Sequence, residues 1–168
     1  TAEKQITDTV HESESPVLEE QEDGIVRLTL NRPEQFNSLS EAMLAKLQDK
    51  IGAIAENKDA RLVILQGAGK AFCAGHDLKE MIATREETYY KSLFQQCSRM
   101  MMTLNKIPQP VIARVHGIAT ASGCQLVGAC DLAVASEDAR FATSGINVGL
   151  FCSTPSVPVS RNIPRKQA

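Results

Sequence analysis

Long apolar runs are missing from this sequence. No stretch approaches the roughly 20 apolar residues that cross a bilayer, which excludes a membrane-spanning protein. The N-terminus shows neither the basic-then-apolar pattern of a secretory signal nor the Arg-rich pattern of a transit peptide. We therefore expect a cytoplasmic protein, or a mitochondrial matrix protein if a presequence has been removed. With 168 residues, 43% hydrophobic and 23% charged, the chain has the composition of one globular domain.

Metal-binding and disulfide patterns are also missing. The five cysteines form no CxxC pair, and their odd number favours reduced thiols. The three histidines (His11, His76 and His116) stand far apart and are not spaced like zinc ligands in combination with the cysteines. We therefore expect no metal.

The sequence contains no complete phosphate-loop or nucleophile-elbow motif, because other residues stand where each motif requires glycine. Around Gly69 and Lys70, a Walker A loop would need a glycine where Ile64 stands. A dinucleotide-binding loop that begins at Gly67 would need a glycine where Phe72 stands. A nucleophile elbow around Ser122 would need glycines two places on either side, and neither is there.

Charge is distributed unevenly along the chain. Residues 1–23 hold eight acidic residues and one lysine, which leaves 17 basic and 12 acidic residues in 24–168. We predict that 1–23 is an acidic flexible arm, because it has no apolar period that could pack on a core. The remainder is mildly basic, far below the Lys/Arg density of a nucleic-acid binder, so we expect no nucleic-acid partner.

Strand and helix patterns alternate after residue 24. Apolar alternation predicts a strand at 24–31, and Ser38 with Glu41 is spaced as a capping box before a helix. The apolar residues of this helix form one stripe: Leu44, Leu47, Ile51 and Ile54. A second helix is predicted over about 85–106, with an apolar stripe that we interpret as core: Tyr89, Leu93, Cys97, Met100 and Leu104. Short apolar segments predict further strands at 61–65, 111–115, 131–135 and 140–142. This alternation predicts an α/β fold with a largely parallel sheet.

Two segments combine small residues, a preceding strand and a helix start: 71–78 and 116–124. Backbone N–H groups are unpaired at a helix start, and small residues let a substrate carbonyl approach them closely. Two such groups on one oxygen would form an oxyanion hole.

The ordered motifs resemble those of the crotonase superfamily, also called the enoyl-CoA hydratase/isomerase family. The resemblance covers about residues 24–157 and rests on Leu30-Asn31-Arg32-Pro33 with Asn37 and Leu39, Ala71 to Met81, Pro110 to Ala113 with Gly117 and Ala119, Gly123 to Leu126, and Cys130-Asp131. It implies a crotonase-like ββα spiral at 24–157. It also implies that 158–168 begins a C-terminal helical region, the rest of which is missing from this sequence.

The resemblance also implies a ligand and an assembly. The ligand is an acyl-CoA thioester of fatty-acid metabolism, with coenzyme A as part of the substrate and no other cofactor. The assembly is a homotrimer or a dimer of trimers, if the C-terminal region were present.

Matching the family motif residue by residue implies where the ligand would bind. The amides of His76 and Ser122 would form the oxyanion hole. Lys79 stands where relatives often place a basic residue near the CoA phosphates. The implied substrate-binding residues are Ala74, Gly75, His76, Leu78, Lys79, Ser122 and Gly123.

Two departures from the family pattern concern proton transfer. Gln125 and Gly145 stand where the family places its two catalytic glutamates. An amide does not exchange a proton at useful pH and glycine has no side chain, so we expect weak or altered hydratase activity. Three functions stay open: a crotonase-family enzyme that uses the hole, a catalytically inactive acyl-CoA-binding or assembly subunit, and a Ser122-dependent thioester hydrolase with His76 or His116 as base.

Overall fold

The computed structural model describes residues 14–167 and contains a five-stranded sheet in the order β1-β2-β3-β4-β6. Strand β1 pairs antiparallel with β2, and the other neighbours in this sheet pair in parallel. A second, two-stranded parallel sheet joins β5 to β7. The strands are β1 (Val17–Glu22), β2 (Ile25–Leu30), β3 (Leu62–Gly67), β4 (Val111–Val115), β5 (Ile118–Thr120), β6 (Leu132–Ala135) and β7 (Arg140–Ala142).

Helices connect the parallel strands, as the alternation of patterns predicts. They are α1 (Glu41–Glu56), α2 (Leu78–Ala83), α3 (Glu87–Leu104), α4 (Ser122–Ala129) and α5 (Ser153–Asn162). Two 3-10 helices lie at Pro33–Gln35 and Ser144–Val148. The mixed α/β architecture with a mostly parallel sheet confirms the predicted fold class.

The core lies where apolar side chains of the sheet meet α1 and α3. Helix α1 buries the predicted stripe of Leu44, Leu47, Ile51 and Ile54, and α3 buries Leu93, Cys97, Met100 and Leu104. Both stripes repeat every three or four residues, which places them on one helix face. No helix in the part of the chain that the structure describes is long and apolar enough to cross a membrane.

The acidic N-terminal segment needs a correction. The arm was predicted to extend through residue 23, but Val17–Glu22 forms β1 at the edge of the main sheet, with Val17 fully buried. Glutamates on the exposed side of an edge strand protect it from pairing with other chains, and they also hide the strand's alternation in the sequence. The first 13 residues of the predicted arm lie outside the described residues.

The capping box is also corrected. The N-cap of α1 is Ser40, whose hydroxyl accepts a hydrogen bond from the Met43 amide at 3.1 Å. Ser38 instead donates to the Asp77 carboxylate at 3.2 Å. Both serines precede the same helix, and their backbone conformation determines which of them caps it.

Helix α5 crosses the predicted division between a core ending at 157 and a C-terminal region beginning at 158. The Asn162 side-chain amide donates to the Gly128 carbonyl of α4 at 3.0 Å. A Cβ atom placed on Gly128 would lie 3.0 Å from the Pro158 Cβ. Helix α5 is therefore one continuous element packed on α4.

Candidate functional site

A largely apolar cavity of about 550 Å³ lies at the ends of several elements. One wall is formed by residues 34–38 and the segment around α2, and another by the face of α3 that carries Phe94. The first turn of α4 and residues 144–155 complete it. Chain segments far apart in sequence therefore surround one space.

The first predicted loop is held so that the amide of His76 stays unpaired. The Leu39 amide donates to the Gly75 carbonyl at 2.8 Å, and the Asp77 amide donates to the Leu39 carbonyl at 3.2 Å. His76 lies between these two bonds, and its own amide has no acceptor among residues 14–167. Gly75 supports this geometry with a φ of +95°, a region that favours glycine.

The second predicted loop leaves the Ser122 amide unpaired in the same way. Ser122 is the first residue of α4, where backbone N–H groups lack partners within the helix. The preceding Ala121 amide donates to the Ala142 carbonyl at 2.8 Å, while the Ser122 amide has no acceptor within the described residues. Ala121 has a φ of +50° and a ψ of −121°, which is strained for any residue other than glycine.

The two loops touch at this point. A Cβ atom placed on Gly75 would lie 3.4 Å from the Ser122 nitrogen and 3.0 Å from the Ala121 Cβ. The Thr120 hydroxyl donates to the Ala74 carbonyl at 3.0 Å and ties the loops together. His76 and Ser122 both border the cavity. Two unpaired N–H donors beside one cavity can hold an oxygen that gains negative charge.

The Asp77 side chain fixes the helix that begins after His76. It is the N-cap of α2 and accepts from the amides of Lys79 and Glu80 at 3.1 and 3.4 Å. The Arg32 guanidinium lies 3.0 Å from the same carboxylate. Burial would raise the pKa of Asp77, but the hydrogen bonds from Arg32, Glu80 and Lys79 outweigh it and hold the pKa below its usual value.

The His76 ring packs edge-on against Phe94, with ring centroids 5.3 Å apart and planes at 72°. Its Nδ1 is enclosed and makes no hydrogen bond with any described residue. Burial lowers the pKa of the imidazole, and the nearby Leu39 carbonyl offsets part of this effect. The ring is therefore neutral at pH 7.

The two positions at which the resemblance implies replaced glutamates differ in placement. Gln125 is buried in α4 and is not among the residues that line the cavity, whereas Gly145 lines it. The Gly145 amide donates to the Cys152 thiol at 3.2 Å. A Cβ on Gly145 would lie 2.5 Å from the Leu150 carbonyl oxygen, so this loop conformation has no space for a side chain there.

The remaining predicted binding residues divide into two groups. Ala74, Leu78 and Lys79 are exposed and line the cavity. Gly75 and Gly123 are buried and are not part of its lining. A Cβ on Gly123 would overlap the Cys73 carbonyl, so this glycine allows α4 to approach the first loop closely.

Sequence reasoning missed the contribution of α3 to the site. Phe94, Cys97 and Ser98 line the cavity, although the α3 stripe was interpreted as core alone. Burial raises the pKa of Cys97 to about 12, so this thiol stays neutral. A helical stripe gives no sign of which side chains border a cavity, and Phe94 lies one position away from the predicted stripe. No cluster of three or more metal-ligating side chains occurs in the described part of the chain.

Comparisons with known proteins identify the family of this chain. The family profile described as enoyl-CoA hydratase/isomerase matches residues 20–168. The chain is similar to enoyl-CoA hydratase domain-containing protein 3 of Danio rerio, named as mitochondrial, with 47% identity over 157 residues. That match covers 94% of this chain and 54% of the relative.

Two solved structures share the fold. The chain is similar to an enoyl-CoA hydratase of Mycobacterium smegmatis (61% identity, TM-score 0.89, 92% of this chain and 60% of that chain). It is also similar to human enoyl coenzyme A hydratase domain-containing protein 3 (48% identity, TM-score 0.86, 90% of this chain and 60% of that chain). The chain thus spans about half the length of the curated relative and about 60% of each structure. Within the family, the sequence segments 124–126 and 141–155 look most like domain-containing protein 3, and the comparisons confirm that likeness. The chain belongs to the enoyl-CoA hydratase/isomerase family.

Proposed function

We propose that this chain binds an acyl-CoA thioester and holds its carbonyl oxygen between the amides of His76 and Ser122. The observation that carries the proposal is the unpaired state of these two N–H groups beside one cavity. Ser122 also opens α4, where the helix dipole adds partial positive charge. A bound thioester would be polarised by both donors, and an enolate or tetrahedral anion would be stabilised further.

The rest of the ligand matches the chemistry of the cavity walls. The apolar side chains Met81, Phe94 and Leu150 would contact the acyl group. Lys79 is exposed at the cavity and would attract the CoA phosphates. Coenzyme A would enter only as part of the substrate, with no separate cofactor.

Hydration by a pair of carboxylates is not part of the proposal. Gln125 and Gly145 supply no group that exchanges a proton near neutral pH. Asp77 is the nearest acidic side chain to the loop, and it already pairs with Arg32 and caps α2. We expect at most weak addition of water to an enoyl-CoA.

A non-catalytic role is the second candidate, and one observation favours it. Beside the incomplete acid–base set, the chain exposes large apolar side chains on β6 and on the cavity loop, including Leu132, Val134 and Phe151. Exposed apolar surface of this kind marks contact regions. The chain would then bind acyl-CoA without turnover, or assemble into a homotrimer or hexamer through such surface.

The Ser122-dependent hydrolase has less support. No hydrogen bond joins the Ser122 hydroxyl to a histidine ring within residues 14–167. The His116 ring pairs with the Gly69 carbonyl at 2.8 Å instead. A serine nucleophile needs a base within hydrogen-bond reach.

The cellular setting follows from the relatives. The Danio rerio relative is named as mitochondrial, and the same word stands in the name of its human counterpart. We propose the mitochondrial matrix, in place of the cytoplasm expected from the sequence, and a role in fatty-acid metabolism.

Calorimetric titration with butyryl-CoA tests the binding proposal. In Gly75→Ala, the added Cβ would press on Ala121 and approach the Ser122 nitrogen, so affinity should fall at least tenfold. Gly52→Ala is the matched control, since a Cβ there has no neighbour within 4 Å and affinity should not change. The proposal fails if the folded wild-type chain shows no binding, or if Gly75→Ala binds as tightly as the control.

A further inference from the structure

The His76 ring and the His76 backbone amide have different surroundings, although both belong to the same residue of the loop. Nδ1 is enclosed by protein and has no partner. Nε2 makes no hydrogen bond with a described residue and is not enclosed, and His76 is one of the residues that line the cavity. We assign the single proton of the neutral ring to the enclosed Nδ1. Nε2 then carries a free lone pair.

Other titratable side chains that line the cavity either contact another protein group or are neutral thiols, which are poor bases. Asp77 pairs with Arg32, Cys97 is a neutral thiol and Cys152 contacts the Gly145 amide. Glu34 and Lys79 also line the cavity, and both are exposed to solvent. Among the cavity-lining residues in the described part of the chain, we therefore choose the His76 ring as the candidate base.

We propose that the His76 imidazole is the general base for hydrolysis of the bound thioester. This inference rests on the proposed acyl-CoA binding, because a carbonyl oxygen held by the His76 amide places the carbonyl carbon within one residue's length of the same residue's ring. Nε2 takes a proton from a water whose oxygen attacks the carbonyl carbon. The two amides hold the resulting oxyanion, the C–S bond breaks, and the proton passes to the departing sulfur. One water and one acyl-CoA give one carboxylic acid and one free CoA thiol.

Hydrolysis suits a site with a single base. Hydration of an enoyl thioester needs one group that activates water and another that delivers a proton to the α-carbon. In the family, two carboxylates carry out these two roles. Hydrolysis moves one proton from water to sulfur. A single imidazole can accept this proton from the water and then donate it to the sulfur. A thiolate also leaves readily, because thiols are far stronger acids than alcohols, with a reference pKa of about 8.5 for cysteine.

The experiment measures free CoA released from butyryl-CoA, a saturated thioester that cannot be hydrated. His76→Gln and His76→Asn keep the backbone amide and remove the base, and both are checked for folding by circular dichroism. Butyryl-CoA affinity should stay within about threefold of wild type, while CoA release falls on the order of 100-fold. The wild-type rate should fall as the pH drops through the imidazole pKa, and both variants should lose that dependence. His116→Gln is the control and should retain the rate, because that ring contacts Gly69.

Each outcome of this experiment either supports or contradicts the proposed role of His76. Preserved binding with lost CoA release and a lost pH dependence supports the base. Preserved binding with release no faster than in buffer, or equally fast in a folded His76→Gln chain, overturns the base but leaves the binding proposal standing. A trapped acyl-enzyme seen by mass spectrometry also overturns it, because direct attack by water forms none. Absence of binding in the wild type overturns both proposals.

Discussion

Arg32 Nη2 lies 3.0 Å from Asp77 Oδ2, an ion pair between the chain just after β2 and the N-cap of α2. Arg32 also donates to the Ser38 carbonyl at 3.1 Å. The side chains of Arg32 and Asp77 are only 23% and 8% exposed. Because Asp77 directly follows His76, this contact holds the segment that carries the unpaired His76 amide.

Replacing Asp77 by Asn should destabilise the chain by about 2 kcal/mol, from the loss of a charged cap and a largely buried ion pair. The folded pKa of Asp77 is lowered, so its stabilisation is fully present above the unfolded pKa of about 3.9 and is lost as the pH falls through the lower folded value. The stability difference between wild type and Asp77→Asn should therefore shrink below about pH 4. Urea unfolding from pH 7 to pH 3 measures it. The exposed Asp49→Asn is the control, and an equal loss in that variant would contradict the prediction.

Ala121→Gly should stabilise the chain. Ala121 has a φ of +50° and a ψ of −121°, and such strain costs on the order of 1–3 kcal/mol in a residue with a Cβ. Subtracting the roughly 0.5–1 kcal/mol of extra backbone entropy that glycine loses leaves a gain of about 1 kcal/mol. Denaturant unfolding is the measurement. Ala53→Gly in the exposed face of α1 should show the opposite sign, since glycine lacks any compensation there. A loss in both variants would mean that Ala121 is not strained.

Glutamate at the two positions where the resemblance implies one should be accommodated at one position and not at the other. Gln125→Glu is nearly isosteric and should leave a folded chain. Gly145→Glu must place a Cβ 2.5 Å from the Leu150 oxygen and 2.7 Å from the Cys152 thiol, so the loop has to move. We expect a cost of about 2 kcal/mol from overpacking and no gain in crotonyl-CoA hydration from the double substitution. Hydration assays and thermal unfolding check this, and a stable, active double variant would show that the loop adapts.

Cys152 should be the fast-reacting thiol of the described residues. Burial raises the pKa of Cys73, Cys97 and Cys130 to about 12, and it also raises that of Cys124, so little thiolate forms at pH 8. Cys152 is only half-buried and lines the cavity. One thiol should react rapidly with a disulfide reagent, and Cys152→Ser should abolish that phase. Butyryl-CoA should slow it. A fast phase that survives in Cys152→Ser would locate the reactive thiol elsewhere.

Local patterns were sufficient for most of the secondary structure. The stripe on α1, the apolar segments of β3 and β4 and the small residues before α4 all lie where the sequence predicts. The sequence does not predict strand β1, because the glutamates at the exposed sheet edge hide its apolar alternation. It predicts a cap at Ser38, because the actual partner of Ser38, Asp77, lies 39 residues away in the sequence. Asn37 was noted only as part of a family motif. Its side-chain amide donates to the Ala68 and Ala71 carbonyls at 2.8 and 2.7 Å, bonds that no local pattern reveals.

The sequence by itself determined the α/β class and the family, because periodicity and motif spacing are properties of the chain. Only the tertiary structure decided which donors and bases share one cavity. The proximity of Gly75 to Ser122 and of His76 to Phe94 depends on packing between α2, α3 and α4. Whether an amide is free and whether a ring is neutral depend on what surrounds them in space, which the linear order of residues does not encode.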